Sequence, residues 1–197
     1  TVPLKIIGSH FTGSLIGNDP DREITVSFEE AVDFRSTHFD GEVGLSSAQF
    51  KQAANFSETY FNALADFTQV TFGPGTSFER ARFGGEAVFL LAQFSGGSNF
   101  FEAHFARSAN FSQAQFDRDS DAFFFRAQFN GPETWFNEAH FAAPAVFLQA
   151  EFTGTVQFDG ALFQDKASFR EAKFRQNDPH DTVSFNGASF AALDLNS

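Results

Sequence analysis

Residues 81–100 read Ala81-Arg82-Phe83-Gly84-Gly85-Glu86-Ala87-Val88-Phe89-Leu90-Leu91-Ala92-Gln93-Phe94-Ser95-Gly96-Gly97-Ser98-Asn99-Phe100. Phe returns here at steps of six, five and six residues, and two positions before each Phe sits a small residue. Extending outward, the same rhythm runs from Phe28 to Phe190 with 29 anchors, all Phe except Leu45. The preceding small positions hold 18 Ala, 6 Val, 4 Thr and 1 Ser. A short fixed period means that each unit buries its apolar residues by stacking on copies of itself, so the chain is a solenoid.

An eleven-residue repeat is also the period of a right-handed helical supercoil, but helical geometry fails here. At about 100° per residue, a small residue and a Phe two apart lie on nearly opposite faces of a helix, and no apolar stripe forms. Gly84-Gly85, Gly96-Gly97 and Gly131-Pro132 interrupt any helix further. In an extended segment, residues two apart share a side, so Ala-x-Phe reads as a short strand with both side chains inward. The residues between anchors then turn a corner.

On these units the chain resembles the pentapeptide-repeat family in its Phe-anchored form, with Ala81-Arg82-Phe83-Gly84-Gly85, Ala103-His104-Phe105-Ala106-Arg107 and Ala172-Lys173-Phe174-Arg175-Gln176 as good copies. The resemblance implies an all-β, right-handed quadrilateral β-helix with four units to a coil. The alternation of five and six departs from a strict five-residue repeat; it predicts a coil of about 22 residues and one extra residue at every second corner. The expected organisation is an N-terminal cap over residues 1–24, a β-helix of about seven coils over 25–192, and a short tail over 193–197. At roughly 4.8 Å between stacked strands, the rod is about 35 Å long. Its C-terminal end is closed either by Leu193 and Leu195 or by another chain.

Composition narrows the function. The chain has no Cys, which removes disulfides, thiolate metal sites and cysteine nucleophiles, and its formal charge of −12 disfavours nucleic acid as a direct ligand. No run is long and apolar enough to span a membrane. The compartment is left open. Catalytic, cofactor and metal sites are not expected. His10, His38, His104, His140 and His180 do not gather: His38 and His104 share a face but lie three coils apart, and His140 falls on another. Asp117-Arg118-Asp119-Ser120-Asp121 opens like a calcium loop, but Ala122 and Gln128 stand where Gly and Glu are needed, so a solvated corner is expected. The sequons Asn55-Phe56-Ser57 and Asn110-Phe111-Ser112 are what this repeat produces by itself.

The lengthened steps, Phe116 to Phe124, Phe129 to Phe136 and Phe174 to Phe185, all fall in six-residue slots and predict bulged corners. Residues flanking an anchor point outward, and three of the four outer faces are polar or carry isolated apolar residues such as Tyr60, Trp135 and Leu162. On the remaining face successive coils present Phe101, then Phe123 and Phe125, then Val146 and Leu148. The insertion before Phe124 leaves open which of Phe123, Phe124 and Phe125 is the anchor, but two extra rings go outside in any case. A contiguous apolar patch marks an interface unless the bulged corner folds over it. The expected function is that of a non-enzymatic rod that binds a protein partner, or itself as a homodimer, through this face. The alternative comes from the resemblance: some members of the family are acidic dimeric rods of the quinolone-resistance type, which imitate duplex DNA and bind DNA gyrase.

Overall fold

A computed structural model of the chain describes residues 4–17, 25–119 and 121–195. Asn18-Asp19-Pro20-Asp21 of the expected cap, and Ser120 of the lengthened corner, lie outside the described residues. The fold is built of parallel strands, most of them two residues long, with no helix among the described residues. Four ladders of such strands wrap one core, and the corresponding sides are numbered here in chain order. Side one runs through Val32–Asp33, Ala54–Asn55, Thr76–Ser77, Ser98–Asn99, Ala122–Phe123 and Ala145–Val146. Sides two, three and four hold the strands ending at or beside Phe39, Leu45 and Phe50 and their successors. Sides one and four are continuous because the strand Leu162–Ser168 passes around their shared corner.

Register is in step with the repeat: Arg82 pairs with His104 and Phe83 with Phe105, 22 residues on, and Thr71 pairs with Gln93. The insertions do not disturb it, since Ala122 still pairs with Ala145 and Ala109 with Thr134. Each added residue is absorbed in a corner, where the backbone is free of the ladder. The anchor at the first insertion is Phe124, fully buried and stacked at 4.8 Å on both Phe100 and Phe147. Phe123 and Phe125 point outward and are half-buried.

Two kinds of corner alternate. After each anchor of sides one and three, a five-residue step closes as a tight turn in which the third residue on donates its N–H to the anchor carbonyl, as in Thr37 to Phe34 at 3.1 Å and Ala92 to Phe89 at 3.1 Å. The residue two after the anchor has positive φ, for example Ser36 at 54°, Arg80 at 52° and Leu91 at 59°. This is a type II turn, a conformation that favours Gly, and here it is occupied mostly by residues with side chains. The six-residue steps make the wider corners. Asn and Asp before the anchors of sides one and three steady the tight turns: Asn55 Oδ1 accepts from the Ser57 N–H at 3.0 Å and Asn110 Oδ1 from the Ser112 N–H at 2.9 Å. Both sequons therefore have a structural origin, with the asparagine engaged in its own turn.

Inside, each side contributes a column of nearly parallel rings. Phe83, Phe105 and Phe129 are spaced 4.8 Å apart and tilted by 2° and 3°. Columns of opposite sides meet edge to face, as Phe89 does with Phe100 at 5.5 Å and 90°. Offset stacks along the axis and edge contacts across it satisfy the quadrupole preferences of every ring at once. The inward Ala residues leave the space that these rings fill.

Sides two and three each have eight strands, one more than the seven coils expected. The added coil is the N-terminal segment: Leu4–Lys5, His10–Phe11 and Leu15–Ile16 pair with Val32–Asp33, His38–Phe39 and Val43–Gly44. Phe11 stacks on Phe39 at 5.0 Å, while Leu4, Ile7 and Ile16 stay exposed. At the other end Leu193 pairs with Ala167 within the last strand, Ser189–Asp194. Leu193 and Leu195 are 46% and 65% exposed, so they do not close that end.

Candidate interaction face

Side one carries the row in which the apolar residues depart from the pattern. Its residue before the anchor is Asp33, Asn55, Ser77 and Asn99 in successive coils, each of them able to hold the tight turn, and then Phe123 and Val146. At these two positions the turn acceptor is given up for an exposed apolar group. Asn99 Oδ1, one coil below, still accepts from the Phe101 N–H at 2.9 Å. Phe101 lies 6.4 Å from Phe123 and 5.4 Å from Phe125, and the latter two are 6.0 Å apart, edge to face. Val146 stands beside Phe123 in register, and Leu148 follows the next anchor. The structure thus brings Phe101, Phe123, Phe125, Val146 and Leu148 onto one surface. All five are half-buried, and Asp117, Arg118 and Asp119 of the lengthened corner are exposed beside them. A shallow depression of about 470 Å³, lined by Gly75, Gly96, Gly97, Asp121 and Phe123, borders the rings.

Two arginines belong to this face and are missed by a reading of anchor neighbours alone. The Arg80 guanidinium lies 5.4 Å from the centre of the Phe101 ring, and that of Arg126 lies 4.9 Å from Phe125. Both sit two residues after an anchor, at the positive-φ position that points out of the corner between sides one and two. Arg80 Nε donates to Glu102 Oε2 at 2.8 Å, and Arg126 Nε donates to Gln149 Oε1 at 2.8 Å. The signal was present as the row Ser36, Glu58, Arg80, Glu102, Arg126, Gln149 and Glu171, spaced by 22 to 24 residues. Aromatic rings with arginine over them, and no lysine among them, form the composition enriched in protein interfaces.

The remaining candidates disperse. His10, His38 and His104 lie on side two and His140 on side four. His10 Nε2 is 2.8 Å from Asp40 Oδ2 and its ring 5.9 Å from that of His38, but among the described residues no three His, Asp or Glu side chains are placed to hold a metal. Burial, and then the charge of Arg82, hold His104 below its ordinary pKa. Hydrogen bonding to Lys173 lowers that of Glu151, and hydrogen bonding to Arg35 lowers that of Asp33. Among the described residues no helix is long and apolar enough to cross a membrane. Acidic residues are interleaved with basic and neutral ones, as in the side-two row of His38, Tyr60, Arg82, His104, Gln128 and Glu151, and imitation of duplex DNA would need them in continuous rows.

Four ladders of two-residue parallel strands around stacked Phe columns define a four-sided β-solenoid. The family model described as pentapeptide repeats (9 copies) matches residues 34–82, 45–92, 78–121 and 124–173, and the chain belongs to that family. No curated protein matches the chain.

Proposed function

We propose that the protein is a non-enzymatic interaction module, and that it pairs with a second copy of itself through the aromatic face of side one. The observation that supports this reading is the stacking of apolar groups over three consecutive coils on side one, while the outward rows of the other sides carry scattered apolar residues such as Tyr60, Leu91, Trp135 and Leu162. Three rings and two aliphatic side chains remain half-exposed there, although the turn-holding Asn or Asp was available at two of the positions. A flat side of a rod suits a twofold contact, because one patch then serves both chains. Burial of each ring contributes roughly 1.5 to 3 kcal/mol, and the arginines at the margin stack on those rings.

Sedimentation at micromolar concentration tests the reading. The wild-type chain is expected to run as a dimer. Phe101→Glu combined with Leu148→Lys strands charge against an apolar surface and is expected to give monomers with an unchanged β spectrum, since the internal columns are untouched. A wild type that is monomeric at every concentration sinks the dimer.

A further inference from the structure

Along the corner between sides one and two runs a groove that shares Arg80 and Arg126 with the aromatic face. One wall is the row two residues after the side-one anchors, and the other is the row just before the side-two anchors. Between them lies the inward-pointing small residue, such as Thr59, Ala81 or Ala103, whose backbone is the floor. Two outward rows flanking an inward one form a channel wherever the side chains are long, and here they are Glu, Arg, Tyr, His and Gln. The channel has three sections that share residues: about 300 Å³ around Glu58 and Tyr60, about 510 Å³ around Glu102 and His104, and about 290 Å³ around Gln149 and Glu151. Arg80 and Arg82 line the first two, and Arg126 and Gln128 the last two. From His38 to Lys173 the groove spans about 29 Å at the strand spacing, the reach of roughly nine extended residues.

Its charge is not uniform. The middle section sets three guanidiniums, Arg80, Arg82 and Arg126, against Glu102, which both Arg80 and Arg126 approach at 2.8 and 3.6 Å, and Glu79, whose Oε1 lies 3.2 Å from Arg80. Arg82 has no acidic partner among the described residues; its guanidinium lies 5.5 Å from the Tyr60 ring centre, and that ring stacks on His38 at 4.1 Å. The first section sets Arg80 and Arg82 against Glu58, and the last balances Arg126 and Lys173 against Glu151 and Glu171. The result is a local cationic centre in a chain of net charge −12.

We propose that this groove holds an extended segment of a partner protein, acidic at its centre, laid along the rod with a carboxylate on Arg82. The open ends and length suit a chain rather than a compact molecule. The balanced last section favours a peptide with a few central carboxylates over a nucleic-acid strand, whose phosphates would extend past the cationic centre and meet Glu151 and Glu171. Arg80 and Arg126 are shared with the aromatic face, and the carboxylate is placed on Arg82, which stands on side two.

The test is fluorescence anisotropy at low salt with a labelled nonapeptide of three central glutamates between serine and glycine ends, and with its lysine counterpart. Saturable binding of the acidic peptide alone is expected, weakened at least tenfold by Arg82→Glu and restored by Arg82→Lys. Arg82 is exposed, so circular dichroism of the variants is expected to match the wild type. No saturation up to millimolar peptide, equal affinity in Arg82→Glu, or tighter binding of a single-stranded oligodeoxynucleotide of matching length would overturn the proposal.

Discussion

At the scale of the residue, the inward positions tolerate little. Phe94 is about 1% exposed and stacks at 4.9 Å on Phe72 and 4.8 Å on Phe116. Replacing it, or the equally buried Phe105, with Ala opens a ring-sized cavity in a column that cannot collapse along its axis. A loss of about 3 to 5 kcal/mol is expected in chemical denaturation; a melting temperature within a degree of wild type would mean that the column is not what holds the rod. The positive-φ corners give a second test. Gln69, at φ 57°, occupies the tight turn between sides three and four. Because a left-handed conformation costs an L residue about 1 to 2 kcal/mol, Gln69→Gly should be neutral or slightly stabilising after its added unfolded-state entropy, and Gln69→Val should destabilise by a similar amount. The same measurement ranks the two variants, and Val proving as stable as Gly would contradict the turn assignment.

At the scale of the element, a coil is two tight corners and two wide ones, and close approach between coils is set at the wide ones. A Cβ on Gly131 would lie 2.2 Å from the carbonyl carbon and oxygen of Arg107 in the coil below, and one on Gly85 would lie 2.3 Å from those of Ala63. Both contacts are with backbone at a wide corner of the coil below, so relief requires the chain itself to shift. Gly131→Ala is therefore expected to destabilise by about 2 kcal/mol or more, although Ala is the smaller perturbation by volume. Hydrogen exchange in that variant should rise first in residues 107–110 and 131–136; uniform protection equal to wild type would show the contact to be slack. The insertions before Phe124 and Phe136 have no comparable effect on register, because Ala122 and Thr134 return to their ladders.

At the scale of the whole molecule, the charge rows set the response to acid. His104 has its pKa lowered in the fold, so the neutral form is favoured there and the unfolded chain takes up the proton first. Stability from this group is full above its unfolded value and begins to fall as the pH drops through about 6.5. Asp33 and Glu151 are also lowered, and what they contribute is present above their unfolded values and is lost as the pH falls below about 4. The melting temperature should hold level above neutrality and decline in two stages on acidification. His104→Gln should remove the first stage and leave the second; a first stage that survives the substitution would assign it to another group.

The inward half of the protein was readable from the chain because it repeats. A strand two residues long has one inward small position and one inward anchor, and stacking forces the same choice in every coil, so the period yields the inward anchors, the wide corners and the place of each insertion, and the family resemblance adds the four columns. The patch of Phe101, Phe123, Phe125, Val146 and Leu148 was readable for the same reason, as a departure from an otherwise polar row. Tertiary structure decided the rest. Leu4, Phe11 and Leu15 lack the run of Phe anchors, and the backbone pairing of residues 4–17, with Ile6, Phe11 and Leu15 packed against the core, makes them a coil. Which outward side chains meet was decided there as well. Arg80 reaches Phe101, and Arg82 is left over Tyr60 without a carboxylate among the described residues, because these partners lie about a coil apart in sequence and become neighbours only when the corners stack.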